Sequence, residues 1–197
     1  MKIYHISSLN KSLFLSINNF VNSGFFINYI NIFIALYSPF ILAALLIIVY
    51  LSGKKSESLY AFYASITGLF INFIIGLFYF HPRPFAAGLG HQLIYHANDS
   101  SFPSDHATLA FSIAFSFIIL NKRKSLGIIC LISAFIISFA RVYVGVHFPF
   151  DIVGSFIVSL FSTGIIYVSR KPLGGVNNFL IGIQMWLVEK LNYLIKI

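Results

Sequence analysis

Apolar residues fill long runs of this chain, and polar residues collect in the short stretches between them. Residues 29–51 form one run, broken by Pro39, and 59–80 form another with no charge. Runs at 107–120, 126–140 and 152–169 are shorter, and each can borrow a turn from its flanks. A helix that crosses a bilayer needs roughly 20 apolar residues, so five spans are expected. Two terminal stretches are less regular. Residues 12–28 are apolar but carry Asn18, Asn19, Asn22 and Asn28, which suits an interfacial segment or a sixth span. Residues 178–195 put Phe179, Ile183, Trp186, Leu187, Leu191 and Leu194 on one helical face, with Asn178, Glu189, Asn192 and Lys196 elsewhere. That pattern suits an amphipathic helix lying on the membrane surface.

The expected fold is therefore an all-α membrane protein, a bundle of five to six transmembrane helices with amphipathic terminal helices, in a single domain over residues 1–197. Composition agrees. Of 197 residues, 58% are hydrophobic and 9% charged, more apolar surface than a soluble domain of this length can bury. A cleavable signal peptide is not expected, since the first strong apolar run begins late and lacks a small-residue cleavage site. Cys130 is the single cysteine, inside a span, so no disulfide framework is expected.

A net charge of +8 raises nucleic acid as a partner, but its distribution argues against one. Lys54 and Lys55, then Lys122, Arg123 and Lys124, then Arg170 and Lys171 follow alternate spans. These loops share one side, which the positive-inside rule assigns to the cytoplasm. The opposite loops, about 81–106 and 141–151, hold five of the six histidines and three of the five acidic residues. Chemistry is expected on that outer side.

Three clusters stand there: HPRPF at His81–Phe85, SFPSDHA at Ser101–Ala107 and RVYVGVHFPFD at Arg141–Asp151. Ser104 is placed to cap a helix whose free N–H groups and dipole favour an anion, with His106 on its first turn. His147 and Asp151 are four residues apart, so a helix starting near Pro149 lets the carboxylate reach the ring and fix its tautomer. Arg141 and Arg83 offer forked donors suited to phosphate oxygens. Each feature alone has a plain structural reading: a cap, a loop-tying salt bridge, an interfacial arginine. Yet a charge at membrane depth costs about 2.5–3.5 kcal/mol on insertion scales, which makes the cluster a functional hypothesis. Two histidines suit a two-step phosphoryl transfer. A zinc hydrolase using His91, His96, His106, His147 and Asp151 is an alternative, though HxxxxH is loose spacing for zinc. A non-enzymatic anion transporter is another. No Gly-rich nucleotide loop is present.

The three clusters resemble the tripartite signature of the type 2 phosphatidic acid phosphatase superfamily, K-x6-R-P, P-S-G-H and S-R-x5-H-x3-D. Arg83-Pro84 matches the end of the first motif and Pro103-Ser104-Asp105-His106 the second, except at its glycine. Arg141, His147 and Asp151 match the third with both spacings intact. The resemblance implies that His147 is a nucleophile forming a phosphohistidine, that Asp151 orients it, and that His106 is the general acid. It also implies that Arg83, Arg141, Ser104 and the Asp105 amide hold phosphate oxygens, with no metal or other cofactor. The family lysine falls at Gly76, with His81, His91 and His96 as candidates to replace it; Ala140 replaces the serine of the third motif. His91, His96 and Asp99 lie in a loop rich enough in donors to touch a diphosphate.

Within the superfamily, the chain most resembles the bacterial undecaprenyl-diphosphate phosphatases, in which an aspartate is common at position 105. That likeness implies a multi-pass protein of the bacterial inner membrane with its site facing outward. It implies a polyprenyl diphosphate lipid as substrate, membrane lipids as surroundings and carrier recycling for cell-wall synthesis as the role. Siblings in the family are a phosphotransferase passing the phosphate to lipid A and a phosphatase for phosphatidylglycerol phosphate or phosphatidic acid.

Overall fold

The computed structural model describes residues 6–195, and the side chains of Asn22, Ser23 and Ile195 lie outside the description, as does Lys196. The described chain is a helical bundle. Its helices are α1 (Ser8–Asn18), α2 (Phe25–Leu51), α3 (Lys55–Phe78), α4 (Asp105–Phe115, closing in a π turn over Ser116–Leu120), α5 (Lys124–Tyr143) and α6 (Pro149–Ile195). Among the described residues α2, α3, α5 and α6 are long and apolar enough to cross a membrane, and Asp105–Leu120 is a shorter apolar helix.

The short helix is the central one. Ala107, Ala110, Phe111, Ile113, Ala114 and Phe117 of α4 are wholly buried, and the core around them draws on α2, α3 and α5. Its polar residues meet α6 rather than lipid. Ser159 Oγ donates to the Thr108 carbonyl at 2.9 Å, and Ser162 and Ser112 hydroxyls pair at 3.3 Å. Small hydroxyl residues let helices approach closely and satisfy polar groups where water is absent. The outer faces of the surrounding helices are the reverse: Phe40 is 71% exposed, Phe70 61% and Ile129 61%. Large apolar side chains exposed on every side fit hydrocarbon as the solvent.

The two ends differ as expected. Arg123 pairs with Glu57, Asn121 Nδ2 donates to the Glu57 carbonyl at 3.1 Å, and Tyr60 Oη donates to the Arg170 carbonyl at 3.1 Å. The three basic stretches therefore share one end, and the histidine-rich loops occupy the other.

Both terminal stretches resolve. Within 12–28, α1 ends at Asn18, a short 3-10 turn covers Asn19–Ser23, and α2 starts at Phe25. Eleven residues make a helix about 16 Å long, half the thickness of the hydrocarbon core, so α1 does not span. Its asparagines are buried tools. Asn18 Nδ2 donates to the carbonyls of His91 (2.9 Å) and Tyr143 (2.8 Å), and its Oδ1 accepts from the His91 amide. Asn10 Oδ1 accepts from the Phe150 amide at 3.1 Å. The amphipathic stretch 178–195 is not a separate helix. It continues α6, which runs 47 residues through Pro172. At about 1.5 Å per residue that is roughly 70 Å, more than twice the hydrocarbon core. The distal part is tied to the basic end: Tyr63 Oη donates to Asn177 Oδ1 at 2.9 Å, and Lys55 Nζ to Gln184 Oε1 at 2.7 Å.

Candidate active site

The three clusters converge on one cavity of about 340 Å³ at the histidine-rich end, lined by Arg83, Asp105, His106, Arg141 and His147 among others. The local chain explains why. Ser101 N donates to the His81 carbonyl at 2.8 Å, which straps SFPSDHA against HPRPF. Leu93 N donates to the Val144 carbonyl at 3.0 Å, laying the 88–96 loop over the third cluster. Gly145 allows that approach. Its φ is +83°, and a Cβ there would sit 2.1 Å from the His91 carbonyl oxygen.

His147 is 2% exposed, and both ring nitrogens are engaged. Nδ1 lies 2.9 Å from the Ser101 carbonyl oxygen and 3.4 Å from Asp151 Oδ2. A carbonyl only accepts, so Nδ1 carries the proton and the Nε2 lone pair is left for the cavity. Arg83 Nη1 approaches Nε2 at 3.2 Å, a geometry that requires an unprotonated nitrogen. Burial is the main reason that His147 is pushed down to about 3, with Arg141 and Arg83 acting in the same direction against Asp151. The ring is neutral throughout the physiological range.

Asp151 is fully buried and serves two neighbours through Oδ2. It accepts from the Phe148 amide at 2.7 Å, the return bond of a capping box at the start of α6, and it faces His147 Nδ1. The expected contact with His147 is thus the longer of two at Nδ1, and the shorter bond that sets the tautomer is to the Ser101 carbonyl.

Two buried arginines line the cavity. Arg83 is held on three sides: Nε to Asp99 Oδ1 at 2.8 Å, Nη1 to the Val146 carbonyl at 2.9 Å and Nη2 to the Ser100 carbonyl at 3.3 Å. Burial pushes the Asp99 carboxyl up, but the Arg83 hydrogen bond and charge, with smaller help from its own backbone and His96, together hold the group below its ordinary value. Arg141 is 2% exposed; Nη1 donates to the Ala35 carbonyl at 3.1 Å, while Nε and Nη2 have no partner among the described residues. Buried guanidinium N–H groups without acceptors beside a cavity are what an anion site looks like before the anion arrives.

His106 lines the cavity from the first turn of α4. Ser104 stands at the N-cap position, but its hydroxyl makes no capping bond and has no partner among the described residues. It is buried at the head of α4 and is not part of the cavity lining. Asp105 does line the cavity, and Asn72 of α3 takes its carboxylate: Nδ2 donates to Asp105 Oδ1 at 2.8 Å and to Thr108 Oγ1 at 3.0 Å.

Where the family lysine would stand, Gly76 lines the cavity, and a Cβ added there would meet nothing within 4 Å. Of the three histidines considered for its place, His96 reaches the lining. Its ring lies 6.3 Å from that of His147, and burial, then Arg83, push it below its ordinary value. His91 is engaged through its backbone with Asn18, and His81 lies behind Asp151. Among the described residues no three His, Cys, Asp or Glu side chains come together as metal ligands.

Asn72 and the Ser101 carbonyl were not anticipated as parts of the site. Asn72 had a readable signal, a polar residue inside an apolar span one helical turn before Gly76. A backbone carbonyl has none.

This constellation can hold a tetrahedral anion between two arginines and a helix N-terminus, with an imidazole lone pair aimed at it. Comparison with known proteins gives the family. The model of the PAP2 superfamily matches residues 57–174. The chain belongs to that superfamily. It is 36% identical over 155 residues to "Undecaprenyl-diphosphatase BcrC" of Bacillus subtilis, covering 77% of this chain and 79% of that one. It is 32% identical over 158 residues to "Putative undecaprenyl-diphosphatase YbjG" of Escherichia coli, covering 79% of each. Among solved structures, LpxE of Aquifex aeolicus superposes with a TM-score of 0.71 at 26% identity, covering 86% of this chain and 99% of that one. Membership of the PAP2 superfamily thus accounts for the all-helical membrane fold.

Proposed function

We propose that this multi-pass membrane protein hydrolyses undecaprenyl diphosphate to undecaprenyl phosphate and phosphate through a phosphohistidine at His147. The observation that carries the proposal is the fixed tautomer of His147, whose Nε2 lone pair faces a cavity flanked by Arg83 and by the unpartnered N–H groups of Arg141. The names of the relatives that resemble most of this chain support the choice of substrate.

In the first step Nε2 attacks the terminal phosphorus. The Nε2–P bond forms, the bridging P–O bond breaks, and its electron pair leaves with undecaprenyl phosphate, which takes a proton from His106 in its imidazolium form. Arg83 and Arg141 hold the non-bridging oxygens, with the Asp105 amide at the head of α4. In the second step His106 takes a proton from water, whose oxygen attacks phosphorus. The N–P bond breaks, phosphate departs and His147 returns to its neutral form. Acid–base assistance of this kind contributes about 10²–10⁴ in rate. The ring becomes cationic while it carries the phosphoryl group, and the Ser101 carbonyl and Asp151 carboxylate offset that charge.

The basic end formed by Lys54, Lys55, Lys122–Lys124, Arg170 and Lys171 favours the cytoplasm. The site then opens on the outer face of the bacterial plasma membrane, where the diphosphate headgroup lies at the bilayer edge and its tail stays in lipid. Phosphate release from undecaprenyl diphosphate in detergent, by wild type and His147→Ala, tests the reading. Turnover by wild type and none by the variant is expected. A second reading is a lipid phosphate monoester in the same site, since a 72-residue stretch is 35% identical to "Lipid A 4'-phosphatase" of Bacteroides thetaiotaomicron. Preference for glycerolipid or lipid A phosphates over undecaprenyl diphosphate would favour it and leave the histidine chemistry standing.

A further inference from the structure

Asp151 has a second imidazole on its other side. His81 Nδ1 lies 3.3 Å from Asp151 Oδ1, an oxygen that has no hydrogen-bond partner among the described residues. The same Nδ1 lies 2.8 Å from Ser101 Oγ, and that hydroxyl donates onward to the Pro82 carbonyl at 3.2 Å. With its proton spent on Pro82, Ser101 Oγ accepts, so His81 carries its proton on Nδ1 and points it between Ser101 and Asp151. Ser101 therefore reads both histidines, His147 through its carbonyl and His81 through its hydroxyl, and is itself fully buried.

The His81 ring is fixed. It stacks on Tyr79 at 6.2 Å and 11°, meets Phe148 edge-on at 5.4 Å, and its amide donates to Ser100 Oγ at 3.1 Å. It is absent from the cavity lining, so it does not touch the substrate.

We infer that His81 is a positioning residue for the phosphoryl transfer, holding the buried Asp151 carboxylate ionised and aimed at His147 from the opposite side. The inference rests on the phosphohistidine reading. When Nε2 bonds phosphorus, the His147 ring keeps its Nδ1 proton and becomes cationic, and the charge that offsets it is Asp151. A carboxylate with no exposure keeps its charge only while donors face it. The Phe148 amide serves Oδ2; His81 faces Oδ1. Groups that orient a metal-ligating histidine from behind typically change activity about 10–100-fold when removed, and a loss of that order is expected for one that orients the carboxylate behind His147.

Asparagine places an N–H close to the Nδ1 position of histidine, and glutamine places one at Nε2. His81→Asn therefore keeps an N–H facing Asp151, whereas His81→Gln and His81→Leu lose it. Turnover and KM with undecaprenyl diphosphate, together with the detergent melting temperature, are measured for all three. For Leu and Gln, kcat is expected to fall roughly 10–100-fold with KM within about threefold, while Asn stays within about threefold of wild type. Equal losses in Asn, Gln and Leu overturn the inference, as does wild-type turnover in Leu. If Leu fails to fold, the Asn–Gln pair decides on the same criterion. Wild-type turnover abolished by His147→Ala, with the His81 variants unaffected, sinks this inference alone; a wild type that releases no phosphate sinks the functional reading with it.

Discussion

Arg141→Met removes a guanidinium that is 2% exposed, whose Nη1 donates to the Ala35 carbonyl at 3.1 Å and whose Nε and Nη2 have no partner among the described residues. Two charge-assisted bonds to phosphate are at stake, each worth about 1.5–3 kcal/mol. Their loss amounts to roughly 3–6 kcal/mol, and at about 1.4 kcal/mol per decade kcat/KM falls about 10²–10⁴-fold. Stability should move the other way. A buried charge with one partner is costly, so an apolar side chain of similar length should leave stability unchanged or raise it. The assay pairs phosphate release from undecaprenyl diphosphate with thermal unfolding in the same detergent. Arg141→Lys, which keeps the charge without the fork, should fall between wild type and Met in turnover. A Met variant that melts markedly earlier would make Arg141 a structural residue, and one within threefold of wild-type kcat/KM would remove it from the anion site.

Three further outcomes follow from neighbouring residues. Gly76→Lys puts a side chain into open space, so the fold should tolerate it with a helix-propensity gain of about 1 kcal/mol. The new ammonium should tighten inhibition by vanadate about tenfold, and an unchanged inhibition constant in a folded variant would count against a phosphate beside Gly76. Asn72→Leu releases the Asp105 carboxylate from its 2.8 Å bond, leaving a negative charge free beside the diphosphate. A drop in kcat/KM of about tenfold is expected, carried mainly by KM, and unchanged kinetics would show that Asp105 needs no restraint. The third outcome concerns pH. His147 is held near 3 when folded against about 6.5 unfolded, so the unfolded chain binds the proton first and stability is lost as pH falls below about 6.5. At pH 5 this amounts to about 2 kcal/mol. His147→Asn removes that contribution, so its melting temperature should fall less than that of wild type between pH 7 and 5; equal falls would refute the assignment.

Much of the bundle can be read from the sequence because lipid imposes simple rules. Residues 29–51 and 126–140 had to be apolar, and the basic stretches had to share one end. The spacing of Arg141, His147 and Asp151 was readable for a related reason, since few ionisable residues are tolerated so near a membrane without a use. Of the two readings of residues 12–28 the sixth span fails on length, and the polarity has a tertiary meaning. Asn18, like Asn10 just before the stretch, satisfies backbone groups more than 70 residues away, at His91 and Tyr143 for Asn18 and at Phe150 for Asn10. Proline and two glycines at 172–175 suggest a break, yet α6 passes through them and ties its far part to Tyr63 and Lys55. Within the site, the tautomer of His147 depends on a main-chain oxygen at Ser101, and no side-chain pattern announces that.

The central claim is a covalent one, and trapping the intermediate tests it most directly. Wild type mixed with undecaprenyl diphosphate labelled in its terminal phosphate is quenched within one turnover under alkaline conditions, where a phosphohistidine survives, and the labelled peptide is mapped. The account predicts one labelled residue, His147, with no label on the His147→Ala protein. Label on another residue, or steady phosphate release by His147→Ala, would contradict it.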